Sequence, residues 1–160
     1  MKENTIQLNN ENIIRFDIQD TEGKKTGEYL EFDLDDINLL LRYQEMIELD
    51  KKNLQNLKNQ LSIIDKQEDH KGKKLLSFKQ EQEIKVMQNY YKREVEILNM
   101  FLGENGVQKL LNGRSLGWTT LAEISRLIKE VILPPLQEES KKTNDKIREK
   151  YSIKEDNVIE

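Results

Sequence analysis

The hydrophobic pattern changes period twice along this chain, and each change marks a new kind of element. Ile14, Phe16 and Ile18 alternate with polar neighbours over residues 12–19, and Leu30 and Phe32 do the same over 28–33, so both segments read as strands with one buried face. Gly23 and Gly27 lie in the polar stretch between them and predict a hairpin turn. An isolated hairpin is marginal in water and must pack on a helix, on more strands or on another copy of itself. Past Asp33 the period lengthens. Leu40, Ile47, Leu54 and Leu61 recur at steps of seven, with Tyr43, Leu57 and Ile64 three residues after three of them, which is the a/d spacing of a helix seam. It predicts a helix over about 35–65, capped by Asp33 or Asp35, with Asp35 and Asp36 favouring the positive end of its dipole.

Residues 66–74, rich in lysine and broken by Gly72, interrupt the period and read as the tip of a helical hairpin. The stripe then returns in Ile84, Met87, Tyr91, Leu98 and Phe101, widened by Val95 and Leu102, and predicts a second helix over about 76–102 running back antiparallel along the first. Gly103 and Gly106 suit a helix stop, a short helix at about 107–111 follows, and Asn112-Gly113 ends it. Thr120 and Glu123 fit a capping box opening a helix lined by Leu121, Ile124, Leu127, Ile128, Val131 and Ile132, and Pro134-Pro135 should interrupt it. The expected fold is mainly α with a small N-terminal β-hairpin, an α+β arrangement of one long antiparallel helical hairpin and C-terminal helices. Residues 1–11 read as a flexible N-terminus, 12–136 as a single domain, and 137–160 as a charged helix or tail, disordered from 152 onward.

Composition supports helices with broad solvated faces: 35% of residues are charged and 6% aromatic. Net charge is −4 but uneven, with thirteen acidic and five basic groups in residues 1–50 against seven and eleven in 51–100. That asymmetry can orient the two parts or steer a basic partner to the front. The absence of cysteine excludes a disulfide framework, thiolate-bound zinc and a thiol nucleophile. No stretch reaches the ~20 apolar residues that span a bilayer, and residues 1–12 lack the apolar core of a signal peptide, so a cytoplasmic protein with no membrane partner is expected.

Little in the chain points to chemistry. His70, the single histidine, lies in the lysine-rich tip without the desolvated site a general base needs. Asp33, Asp35 and Asp36 are explained by the helix dipole without a metal. The pairs Glu81 and Glu83, and Glu94 and Glu96, are two apart and do not face one another on a helix. Neither 103–106 nor 113–117 completes a phosphate loop or a nucleophile elbow. No catalytic, cofactor or metal site is expected. Lys66, Lys71, Lys73 and Lys74 form a basic tip that could touch phosphates, which keeps a regulatory or nucleic-acid-binding protein as the alternative, although net charge disfavours it. Trp118 is either a staple for the helix it precedes or an anchor for a partner, together with the apolar face of Leu121, Ile124, Ile128, Val131 and Ile132. That face is wide enough to admit self-association as well.

The order of elements resembles a known group. A β-hairpin with an Asp-rich helix entry (Ile14-Arg-Phe-Asp-Ile18, then Tyr29-Leu-Glu-Phe-Asp-Leu-Asp-Asp-Ile37), a long charged helical hairpin, and Met100-Phe-Leu-Gly-Glu-Asn-Gly-Val-Gln-Lys-Leu-Leu-Asn-Gly-Arg114 before a final apolar helix resemble the tail-assembly-chaperone-like proteins of phages and prophages of Gram-positive bacteria. The resemblance covers about residues 12–150. It implies a non-enzymatic, mostly helical protein that binds the aggregation-prone tape measure protein during tail assembly and is absent from the finished particle.

Overall fold

The computed structural model describes residues 1–152, so the expected disorder of 153–160 lies outside the described residues. Strand β1 (Ile13–Gln19) and strand β2 (Lys25–Asp33) form a two-stranded antiparallel sheet. Ile14 faces Phe32 and Phe16 faces Leu30, with a register shift between Asp17 and Gln19. The turn is closed by Asp20, whose carbonyl accepts the Gly23 amide and whose Oδ1 accepts the amides of Glu22 and Lys24.

Helix α1 (Leu39–Asp65) and helix α2 (Phe78–Leu102) make the long antiparallel hairpin. Short α3 (Gly106–Leu111) and α4 (Trp118–Leu127) follow. A π-helical turn, Ile128–Ile132, then leads without a break into α5 (Leu133–Lys150). The fold is therefore mainly helical with an N-terminal β-hairpin. No helix of the described residues is long and apolar enough to cross a membrane.

The core sits at the base of the helical hairpin, where the sheet, α3, α4 and the start of α5 converge. Phe32 bridges Phe16 and Phe101, with ring centroids 5.8 and 5.3 Å away, and Tyr43 meets Phe101 edge-on at 5.4 Å. Such contacts add to apolar burial because ring edges meet ring faces favourably. Ile97, Val107, Ile128 and Leu136 complete the most enclosed layer. Lys109 ties the helices to the sheet by donating to the Tyr29 carbonyl at 3.3 Å.

Three local expectations are corrected. Helix α1 begins later than 35, at Leu39 after the cap residue Asn38, because the aspartates fold into their own turns. Asp33 Oδ1 accepts the Asp35 amide, Asp36 Oδ1 accepts the Asn38 amide, and Asp36 pairs with Arg42 at 2.6 Å. Short carboxylate side chains compete with the helix for nearby amides in this way. Helix α4 starts at Trp118 rather than after Thr120. Gly117 is the cap residue, and Thr120 stands three positions into the motif, its Oγ1 accepting the Gly117 amide at 2.8 Å. The two prolines do not interrupt the helical path, since they fall in the first turn of α5, directly after a π turn. The preceding π turn joins the helices through the Leu133 amide, which donates to the Ile128 carbonyl five residues back.

Candidate protein-binding site

Much of the expected seam packs inward, with Ile64, Leu98 and Phe101 buried and Ile47, Leu54, Leu57 and Tyr91 half-buried against the core, but the most deeply buried line of α1 begins one row over. On α1 the buried line starts at Leu39 and Met46 and ends at Ile64, while Leu40, Ile47, Leu54, Leu57 and Leu61 are half-buried. At about 100° per residue, Leu40, Ile47, Leu54 and Leu61 occupy one flank of that line. On α2 the buried line is Tyr90, Glu94, Ile97, Leu98 and Phe101. Ile84, Met87 and Tyr91, at i, i+3 and i+7, share the corresponding flank. Ile84 and Met87 are 42% and 38% exposed, so their assignment to the seam is overturned. In an antiparallel pair of right-handed helices these two flanks fall on the same side of the hairpin. One side of the arm is thus an apolar flank, half-buried at Ile47, Leu54 and Leu61 of α1 and at Tyr91 of α2 and exposed at Ile84 and Met87.

The flank is only partly covered because the distal arm is two helices thick. Between Met46 and Ile64 on α1, and between Phe78 and Tyr90 on α2, no side chain is buried. The opposite side of the arm is a cleft of about 440 Å³ of mixed character, lined by Leu49, Leu57 and Tyr90 together with Lys52, Asn53, Asn56, Gln60, Asn89 and Arg93.

A polar layer divides the open distal arm from the packed base. Glu94 is fully buried, and Asn53 Nδ2 donates both to its Oε1 at 2.8 Å and to the Tyr90 carbonyl at 3.1 Å. No donor among the described residues reaches Oε2. Burial, and then the adjacent Asp50 carboxyl, push the Glu94 carboxyl up to about 8, against the opposing pull of the Asn53 amide. Burial next to Glu94 also raises the Tyr90 hydroxyl. At neutral pH the layer is therefore held by a protonated acid, the form that a low-dielectric seam tolerates. Sequence reading passed over this layer, since Asp50, Asn53 and Glu94 look like solvated helix positions. The heptad phase of Asn53 relative to Leu39 and Met46 is the signal that marks it.

The C-terminal candidates separate. Leu121, Ile124, Ile128 and Ile132 are buried in the core, while Val131 is 45% exposed. Trp118 is 74% exposed at the start of α4 and does not act as a staple. A second groove, of about 540 Å³, runs between β1 and the α3–α4 region, with Leu110, Leu111, Leu127 and Val131 on its helical wall.

The tip is more ordered than a plain turn. His70 stacks on Phe78 with centroids 5.0 Å apart, and its carbonyl accepts the Phe78 amide at 2.8 Å. Asp69 accepts the Lys79 amide at 2.9 Å, which holds its carboxyl below the usual range. Lys74 pairs with Glu81 at 3.8 Å, and the interleaved acids Asp65, Glu68 and Asp69 offset the basic charge of the tip. No group of three or more potential metal-ligating side chains exists among the described residues. Comparison with protein family models, with characterised proteins and with solved structures gave no match.

Proposed function

We propose that the protein is a non-enzymatic, chaperone-like phage tail assembly factor that acts in the host cytoplasm and binds the tape measure protein or another tail protein. The reading rests on the resemblance described above and on one structural observation, the partly uncovered apolar flank along the distal arm. Two helices with an uncovered apolar flank are two thirds of a three-helix arrangement. The natural third member is an amphipathic helix from a client, laid along the flank by its own apolar stripe. A long helical client exposes such a stripe before it assembles, and the charged outer faces of the arm would keep the complex in solution. The flank does not depend on Trp118, although that exposed ring is well suited to a second anchor.

The direct test is co-expression with the tape measure protein of the same phage. The parent should raise the soluble fraction of that client, and Ile84→Glu with Met87→Glu should remove the gain while leaving the chaperone folded. A client equally soluble with parent and variant, or a gene lying away from tail-tube and tape-measure genes, would remove the support for this reading.

A further inference from the structure

We infer that the groove beside β1 is the seat of a strand from a second copy of this chain, and that the strand is the segment from Thr5 to Asn9. This inference does not depend on the client reading.

The groove has the features of a strand acceptor. Four consecutive residues of β1, Phe16 to Gln19, line it together with Asp20 and Thr21 of the turn. A strand's face presents every second residue, so an unbroken run means that the groove follows the strand's edge. That edge is unpaired among the described residues, because the sheet has two strands and β2 lies on the other side. The Leu34 amide donates to the Asn12 carbonyl at 2.9 Å, which makes 12/34 a hydrogen-bonded pair. Alternation then turns the backbone groups of Ile14 and Phe16 toward β2 and those of Arg15 and Asp17 outward to the open edge.

The donor is equally specific. Ile6 and Leu8 are 93% and 90% exposed, large aliphatic side chains two residues apart with nothing to pack on. They sit in Thr5-Ile-Gln-Leu-Asn-Asn10, six uncharged residues in a chain that is 35% charged. Five extended residues span about 17 Å, enough to run beside β1 from Arg15 to Gln19.

Register decides between the chain's own β1 and that of another copy. The Ile13 amide donates to the Asn10 carbonyl at 3.1 Å, a tight turn that would set Asn9 opposite Ile14 if the chain folded back on itself. Leu8 and Ile6 would then stand opposite Arg15 and Asp17, on the sheet's exposed face, where Arg15 already covers the Tyr29 ring at 3.9 Å. A strand from a second copy is not bound by that turn. Slipped by one residue, it places Leu8 beside Phe16 and Ile6 beside Ile18, pointing both into the groove, while Gln7 and Asn9 meet the outward backbone of Asp17 and Arg15. Reciprocal exchange closes two copies into a dimer.

Light scattering on the full chain tests this, with Ile6→Asp plus Leu8→Asp as the variant. Both positions are exposed within one chain, so the fold should survive. The expected result is a parent at twice the chain mass or more and a variant at the mass of one chain with an unchanged melting curve. A monomeric parent at the highest soluble concentration, or an oligomer that the variant leaves intact, overturns the inference. Because the chain has no cysteine, Ile6→Cys with Val131→Cys and a short bis-maleimide linker reads the connection itself: linked dimers support exchange, and a link within one chain overturns it. If a tail-protein peptide binds the groove of a monomeric parent, the groove serves a different occupant and the inference likewise fails. Client solubilisation should persist in the Ile6/Leu8 variant, which keeps the two proposals separable.

Discussion

A fully buried glutamate with one unsatisfied oxygen is the most demanding residue in the molecule. Because Glu94 holds its proton more tightly in the folded chain than in the unfolded one, its contribution is most favourable below the ordinary glutamate range. Stability should fall as pH rises from there toward about 8, where the folded group ionises. Glu94→Gln should flatten that dependence and stabilise the protein at pH 8 by on the order of 3 kcal/mol, measured by urea unfolding across the neutral range. An unchanged pH profile would mean that the seam does not enclose the carboxyl. Asn53→Ala should act oppositely, costing about 1–3 kcal/mol by leaving both Glu94 Oε1 and the Tyr90 carbonyl without that donor. Gly106 is constrained by space: a Cβ there would sit 2.5 Å from Leu102 Cβ. Gly106→Ala should therefore push α3 off α2 at a cost of about 1–3 kcal/mol, read as a lowered melting temperature.

Among the elements, the start of α2 has the clearest local cause. Ser77 Oγ accepts the Gln80 amide at 3.2 Å, and Gln80 Oε1 accepts the Ser77 amide at 2.9 Å, a complete capping box at a buried position. Ser77→Ala should cost about 1 kcal/mol in equilibrium unfolding. The sequence made the elements and their order legible because strand alternation and helical period differ so plainly here. Phase was harder to read. Leu39, Leu40 and Leu41 are adjacent, as are Met46 and Ile47, so a heptad template fits either row, and only the full burial of Leu39 and Met46 shows which one turns inward. The polar layer stayed hidden because charge at a helix position usually means solvent, and the path through Pro134 because a proline reads as a break unless a π turn precedes it. Of the expected partner surface, Trp118 and Val131 remain exposed, since the C-terminal stripe is apolar as expected but its destination is the core.

At the scale of the whole molecule, a packed base carries an arm whose distal half is only partly covered, and the two should respond differently to change. Ile84→Glu or Met87→Glu should shift stability by less than about 1 kcal/mol, because both side chains already meet water. The same change at Ile97, inside the base, should unfold the protein, and circular dichroism would separate the cases. The π turn adds a constraint of another kind. Leu121, Ile124, Ile128, Ile132 and Leu136 are all buried, mostly at steps of four, a spacing that would drift around a regular helix. The wider turn at Ile128–Ile132 absorbs the drift and keeps the stripe pointed inward. What is fixed there is the number of residues more than their identity. Lys129 and Glu130 are exposed and can be exchanged freely, yet inserting one more residue beside them would rotate everything beyond it by roughly 100° and swing Leu136 out of the core. The turn works as a mechanical phase setting for α5, insensitive to spelling and intolerant of an added residue.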